Sequence, residues 1–190
     1  MIDFNFPILK NKFKKHLKLK QSLLDLINTQ ETGSLKQFDS YYDDSISRVD
    51  WDRRSDFQRE WVKLINEDLI NNFDNQVKKI GLKNIRLIHL WFQQYFKGDT
   101  HGWHVHGNNF TGVYYLEFSK CAPRTQIIEP ISKRLIEVEA KEGEIIIFPS
   151  VYIHRASKSK SKKRKTIISF NFECDLIDDS YLKKIKKLYK

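Results

Sequence analysis

The sequence predicts a mainly β protein, an antiparallel sandwich or barrel of the jelly-roll kind, braced by two or three α-helices. Three observations carry that prediction. Apolar residues recur at helical spacing as far as Gly81 and at period two beyond it. After Gly81, β-branched and aromatic runs return about every ten residues. The helical segments before Gly81 carry apolar stripes that a sheet would have to cover, so the change of style is not read as a domain boundary. At 190 residues, with 40% hydrophobic and 13% aromatic residues, the chain can bury a core as one domain, 1–190, and is not broadly disordered. Within it, 1–83 is expected to be helical bracing, 84–173 the jelly-roll core and 174–190 a C-terminal helix.

Residues 1–10 are short, apolar and Pro-containing, as an edge strand would be. Over 11–28, Phe13, Leu17, Leu23, Leu24 and Ile27 mark one face of a basic amphipathic helix packed on the domain. Residues 29–54, with Gly33 and the Tyr41-Tyr42 pair, read as a polar, irregular connection that could carry substrate contacts. Ser55-Asp56-Phe57-Gln58 has the form of a capping box. It should open a second helix with the stripe Trp61, Leu64, Ile65, Leu69, Phe73, Val77 and Ile80, which Gly81 ends in a left-handed cap. Strands are expected at 84–95, 111–118, 125–129, 134–140, 144–148 and 166–172. Residues 181–190, with Leu182, Ile185 and Leu188 among lysines, read as an amphipathic surface helix.

The net charge of +10 is carried largely by Lys and favours acidic partners such as nucleic acid, anionic metabolites or acidic peptides, unless it reflects a simple Lys, Ile and Asn bias. The basic run 157–165 is a solvated loop, or else a nucleic-acid patch or a device that steers an anionic substrate. Cys121 and Cys174 have no metal-ligand spacing and make no secreted disulfide framework. The N-terminus lacks a signal-peptide pattern, and no run approaches the ~18 apolar residues of a membrane span. A soluble, cytoplasmic setting is expected.

The chemistry concentrates in histidine. His104-Val105-His106 puts two imidazoles on the same side of an extended segment, because strand side chains alternate. His154 ends the stretch Gly143-Glu-Ile-Ile-Ile-Phe-Pro-Ser-Val-Tyr-Ile-His, and from a second strand it would close a facial triangle around a metal with open coordination positions. His16, His89 and His101 are read as structural.

In order along the chain stand Trp91-Phe-Gln-Gln-Tyr95, Gly98-Asp99, His104-Val-His106, Phe110-Thr-Gly-Val-Tyr-Tyr-Leu116, Gly143-Glu-Ile-Ile-Ile-Phe-Pro-Ser150, His154 and Ile168-Ser-Phe-Asn171. This set, over about 84–172, resembles the Fe(II)- and 2-oxoglutarate-dependent oxygenases, a family with a double-stranded β-helix. The resemblance implies hydroxylation of a substrate with release of succinate and CO2, using Fe(II), 2-oxoglutarate and O2. It makes His104 and His154 metal ligands, with His106 where the family usually has a carboxylate. It also implies a basic residue on the last strand for the far carboxylate of 2-oxoglutarate. Lys165 falls in the family's Arg position, with Ser169 and Asn171 on the same strand face. Arg164, the other candidate, shares a face with Thr166. Tyr95 and Tyr114 are candidate hydroxyl donors to that carboxylate, and Trp91, Trp103 and Tyr152 flank the motif. Two alternatives stay open: a cupin-like metal protein that does not use 2-oxoglutarate, and a non-enzymatic basic module for nucleic acid. The sequence names neither substrate nor oligomeric state.

Overall fold

The computed structural model describes residues 8–38 and 43–188. Eleven strands among them form two antiparallel sheets. The larger has the order β1-β9-β6-β11-β4-β3-β2 and the smaller β5-β10-β7-β8. In chain order these are β1 (Leu9–Lys12), β2 (Gly33–Phe38), β3 (Asp43–Val49), β4 (Leu82–Tyr95), β5 (His101–His104), β6 (Phe110–Glu117), β7 (Thr125–Ile128), β8 (Leu135–Glu137), β9 (Glu144–Pro149), β10 (His154–Ala156) and β11 (Lys165–Ile177). Three helices accompany them: α1 (His16–Thr29), α2 (Glu60–Val77) and α3 (Asp179–Leu188).

Period-two alternation makes the large sheet a partition between two cores. On β11, Ile168, Phe170 and Phe172 face α1 and α2, where they meet Leu23, Ile27, Ile65, Leu69 and Phe73. The intervening Ile167 packs toward the small sheet with Trp91, Tyr95, Val113, Ile127 and Ala156. Phe73 stacks on Phe170 with ring centroids 4.1 Å apart, and a buried Phe of this kind contributes roughly 1.5–3 kcal/mol. Gly112 of β6 lets that ring approach, since a Cβ there would collide with both the Phe170 ring and the Ile146 carbonyl.

The order of helices and strands follows the expectation, with local corrections. The first helix begins at His16; Phe13 is buried before it, and Leu17, assigned to the stripe, is 91% exposed while Leu19 is buried instead. No side chain caps α2. Asp56 instead accepts the Gln58 amide in a short turn, and Arg59, at the N-cap position, is turned inward onto buried Asp50. Gly81 does take left-handed dihedrals, φ +83°, with the Tyr181 ring packed where a side chain would stand.

The largest departure lies in 29–54. That stretch holds β2 and β3, a hairpin on the edge of the large sheet, so 1–83 is not purely helical. Its polar composition hid the strands: β2 is exposed apart from half-buried Leu35, and the inward residues of β3 are polar Asp44 together with Ile46 and Val49. β3 is fastened by the Ser45–Thr100 bridge and by Asp99, which accepts from the Ser47 amide and hydroxyl. Tyr41 and Tyr42 lie outside the described residues, as do residues 1–7 of the expected edge strand; its remainder falls in β1, which among the described residues pairs with β9 alone. At the other end β11 runs on to Ile177, and α3 buries no residue. No helix among the described residues is long and apolar enough to cross a membrane, and both cysteines are free thiols.

Candidate metal centre

β5 and β10 pair with His104 directly opposite His154. His106 follows two residues after His104, and its amide donates to Ser150 O at 3.0 Å. One nitrogen from each ring lies within 4.8 Å of the others. The fit to a metal can be tested on tautomers. His104 Nδ1 donates to Gly102 O at 2.7 Å and His154 Nδ1 to Tyr152 O at 2.8 Å. Each ring therefore carries its proton on Nδ1 and offers a bare Nε2, the state a ligand needs. For His106, the neighbour of Nδ1 is the Asn171 amide at 3.4 Å. The Asn171 oxygen is buried without a partner, and a half-turn of the amide would let it accept the His106 Nδ1 proton. All three imidazoles then fit a metal. Burial pulls their pKa values down, to about 3 for His106 and well below the usual value for His154, so they stay neutral as ligation requires.

A fourth imidazole, read as structural from the sequence, joins them. The His101 ring stacks on His104 with centroids 3.8 Å apart. A regular strand would send residues 101 and 104 to opposite faces, but the register of β5 against β10 shifts between His154 and Ala156, which allows both rings to point inward. No period-two rule could have found this. Gln93 Oε1 accepts from the Tyr95 and Ser169 hydroxyls, each at 3.2 Å. Its Nε2 is thus the group that faces His101 Nδ1 at 3.4 Å, leaving the His101 proton on Nε2. That nitrogen stands 3.7 Å from Asp44 Oδ1, and the same oxygen accepts the Gly102 amide at 2.8 Å. Asp44 comes from the stretch expected to be irregular.

The remaining predicted residues divide by strand face. Tyr95 and Ser169 line a cavity between the sheets together with the three ligand candidates, Trp91 and Ile167. Lys165 is 1% exposed. Its ammonium donates to Pro123 O at 2.8 Å and lies 5.0 Å from the centre of the Tyr95 ring; burial draws its pKa down to about 7. Arg164 and Tyr114 are not brought to this site. Arg164 bonds Glu117 and Asn28, and the Tyr114 hydroxyl pairs with His16 Nδ1 at 2.7 Å in the core beneath the helices. Trp103 is covered by the Arg155 guanidinium, 4.3 Å from its ring centre, and Tyr152 is buried. A second recess, an outer cleft, shares Gln93, His101, His104 and His106 with the cavity and runs out under the β2–β3 hairpin.

Two facing antiparallel sheets with three histidines gathered at their strand ends define a double-stranded β-helix with a candidate metal centre. Residues 89–171 match a family model described as "Putative 2OG-Fe(II) oxygenase". Solved structures agree in fold. A Pseudomonas putida prolyl-4-hydroxylase is 14% identical with a TM-score of 0.59 over 87% of this chain and 91% of that one. A viral collagen prolyl hydroxylase from Paramecium Bursaria Chlorella virus-1, solved as a 2OG complex, is 16% identical with a TM-score of 0.55 over 87% and 94%. HygX from Streptomyces hygroscopicus, with nickel and 2-oxoglutarate bound, is 10% identical with a TM-score of 0.61 over 87% and 82%. No curated protein sequence matches the chain. The family match covers residues 89–171, and the double-stranded β-helix fold with its three-histidine cluster suits an enzyme that uses Fe(II) and 2-oxoglutarate.

Proposed function

We propose that His104, His106 and His154 hold one Fe(II) through their Nε2 atoms, and that Lys165 pairs with the far carboxylate of 2-oxoglutarate. Iron, 2-oxoglutarate and O2 together supply the oxidising power, with succinate and CO2 released as the substrate is hydroxylated. The ligand assignment is carried by the Nδ1 hydrogen bonds of His104 and His154, which leave their Nε2 atoms bare, and by the approach of one nitrogen from each of the three rings to within 4.8 Å of the others. Gly102 O, Tyr152 O and the Asn171 amide hold those rings against rotation. Three neutral imidazoles bring no negative charge, so a dianionic co-substrate neutralises the centre where the family's usual carboxylate would have done so in part.

Lys165 is supported as the anchor by its burial and by its surroundings. Among the described residues no carboxylate lies within ion-pair distance of its ammonium, which has a backbone carbonyl and aromatic faces for company. An incoming carboxylate would supply the missing partner. The Tyr95 and Ser169 hydroxyls, now turned to Gln93, stand ready to reorient toward it. Trp91, Val113 and Ile167 give the cavity an apolar wall.

We read residues 1–190 as one catalytic unit, and place it in the reducing cytoplasm on the strength of its two unpaired thiols. The basic run has a solvated pattern. Ser159 and Ser161 are buried, while Lys158, Lys160, Lys162 and Lys163 are exposed, and none of these lysines lines the cavity or the outer cleft. Nucleic-acid binding through them would be separate from the chemistry.

Anaerobic Fe(II) titration with and without 2-oxoglutarate tests the assignment. The expected result is a weak visible charge-transfer band that needs both additions, disappears in His154→Ala and requires more 2-oxoglutarate in Lys165→Ala. Bound metal with no band at any 2-oxoglutarate concentration would refute it in favour of a cupin-like centre.

A further inference from the structure

The outer cleft carries information about the substrate. It opens beside the His104 and His106 rings, and its walls are apolar at Leu35, Val49, Trp51 and Val105. Among its described lining residues the one formally charged group is the Asp44 carboxylate; neither Lys nor Arg lines it, in a chain whose net charge is +10. Asp44 is 5% exposed. Among the described residues its partners are a backbone amide, Gly102 N, and the His101 imidazole, and neither an ammonium nor a guanidinium. A carboxylate held out of water without a full counter-cation is costly. A ligand that brings the cation removes that cost, whereas an anionic ligand would add repulsion to it.

We propose, building on the oxygenase reading of the site, that the substrate is an amphipathic cation, an aliphatic chain or side chain bearing an ammonium or guanidinium group. Its charged end pairs with Asp44, and its aliphatic portion lies along Leu35, Val49 and Trp51, presenting a C–H to the histidine triad. The Trp51 ring adds a cation-attracting surface; it already holds the Arg54 guanidinium 4.3 Å from its centre. This assignment reverses the expectation of an anionic substrate drawn from net charge. The lysines that create that charge lie away from the cleft, and a local carboxylate on an apolar wall decides what enters it.

The test uses three probes of one shape and different charge: hexylammonium, hexanol and hexanoate. Binding to the metal-free protein is followed by tryptophan fluorescence, since Trp51 lines the cleft. Hexylammonium should bind at least tenfold more tightly than either of the others, a factor worth about 1.4 kcal/mol. Asp44→Asn, which keeps an oxygen for the Gly102 amide, should narrow that preference to about threefold or less. A wild-type protein that prefers hexanoate, shows no charge preference or binds none of the three overturns the proposal, and so does an ammonium preference that survives Asp44→Asn. The charge series on the unmutated protein decides the matter even if the variant fails to fold. The charge-transfer titration is scored separately, so loss of the iron and 2-oxoglutarate reading is distinguishable from a wrong substrate class.

Discussion

Replacing Lys165 by Met should make the metal-free protein more stable near neutral pH, and the gain should fade as pH rises. The folded-state pKa of about 7 lies below the ordinary value of 10.5, with burial as the cause. At pH 7 the unfolded chain therefore holds a full proton on this lysine and the native protein about half of one. At pH 9 the difference is close to a whole proton. Stability must rise with pH wherever the unfolded state binds more protons. The penalty from Lys165 is thus fully present below about pH 7 and is lost as pH climbs toward 10.5. Integrating at about 1.36 kcal/mol per proton and pH unit gives a rise of roughly 2 kcal/mol between pH 7 and 9. The Met side chain, similar in length and without charge, has no such term. Urea unfolding at both pH values, on wild type and Lys165→Met in the presence of a chelator, measures it, and other titrating groups cancel in the comparison. Curves that move in parallel, with a change in their separation under about 0.5 kcal/mol, roughly the scatter of such differences, would refute the reasoning.

Other outcomes follow from single contacts. Asn171→Leu, which removes the side-chain amide beside His106 Nδ1, should weaken Fe(II) binding roughly tenfold or more in a metal titration. Asp50→Ala should cost about 3–5 kcal/mol in urea unfolding, because it strands the fully buried Arg59 guanidinium and removes the acceptor for the Phe92 amide. Gly112→Ala should destabilise by at least about 1–3 kcal/mol, seen as a lower Tm, since the new methyl group meets the Phe170 ring and the Ile146 carbonyl.

The sheet region was legible because its strands obey one rule. Trp91, Gln93 and Tyr95 share a face by period two, and the pairing of Tyr95 with Lys165 and of Trp91 with Ser169 continues that face onto β11. The same parity separates Lys165 from Arg164, and it correctly gives Arg164 to the side of Thr166. It should have excluded Tyr114 as well: Tyr114 pairs with Ile168, a residue of the helix-facing core, so the alternation already present in the sequence argued against it. The His-x-His pair and the distal His were legible because chain order and spacing were enough to bring them to neighbouring strand ends.

What stayed hidden depends on irregular geometry or long-range pairing. The shift in the β5–β10 register that brings His101 onto His104 leaves no trace in composition. The β2–β3 hairpin has too few apolar residues for a periodic signal, and its position is set by contacts from Ser45 and Ser47 to a loop more than fifty residues away. Asp44 is the consequence for function. It sits in no motif and outside the span of the family match, yet the hairpin delivers it to the edge of the metal centre. The strand ends that carry the three histidines are thus fixed by a pattern that can be read locally. The position of Asp44 is fixed instead by the topology of a separate, polar hairpin, so the cation preference proposed for the cleft is set by that hairpin and not by the histidine motif.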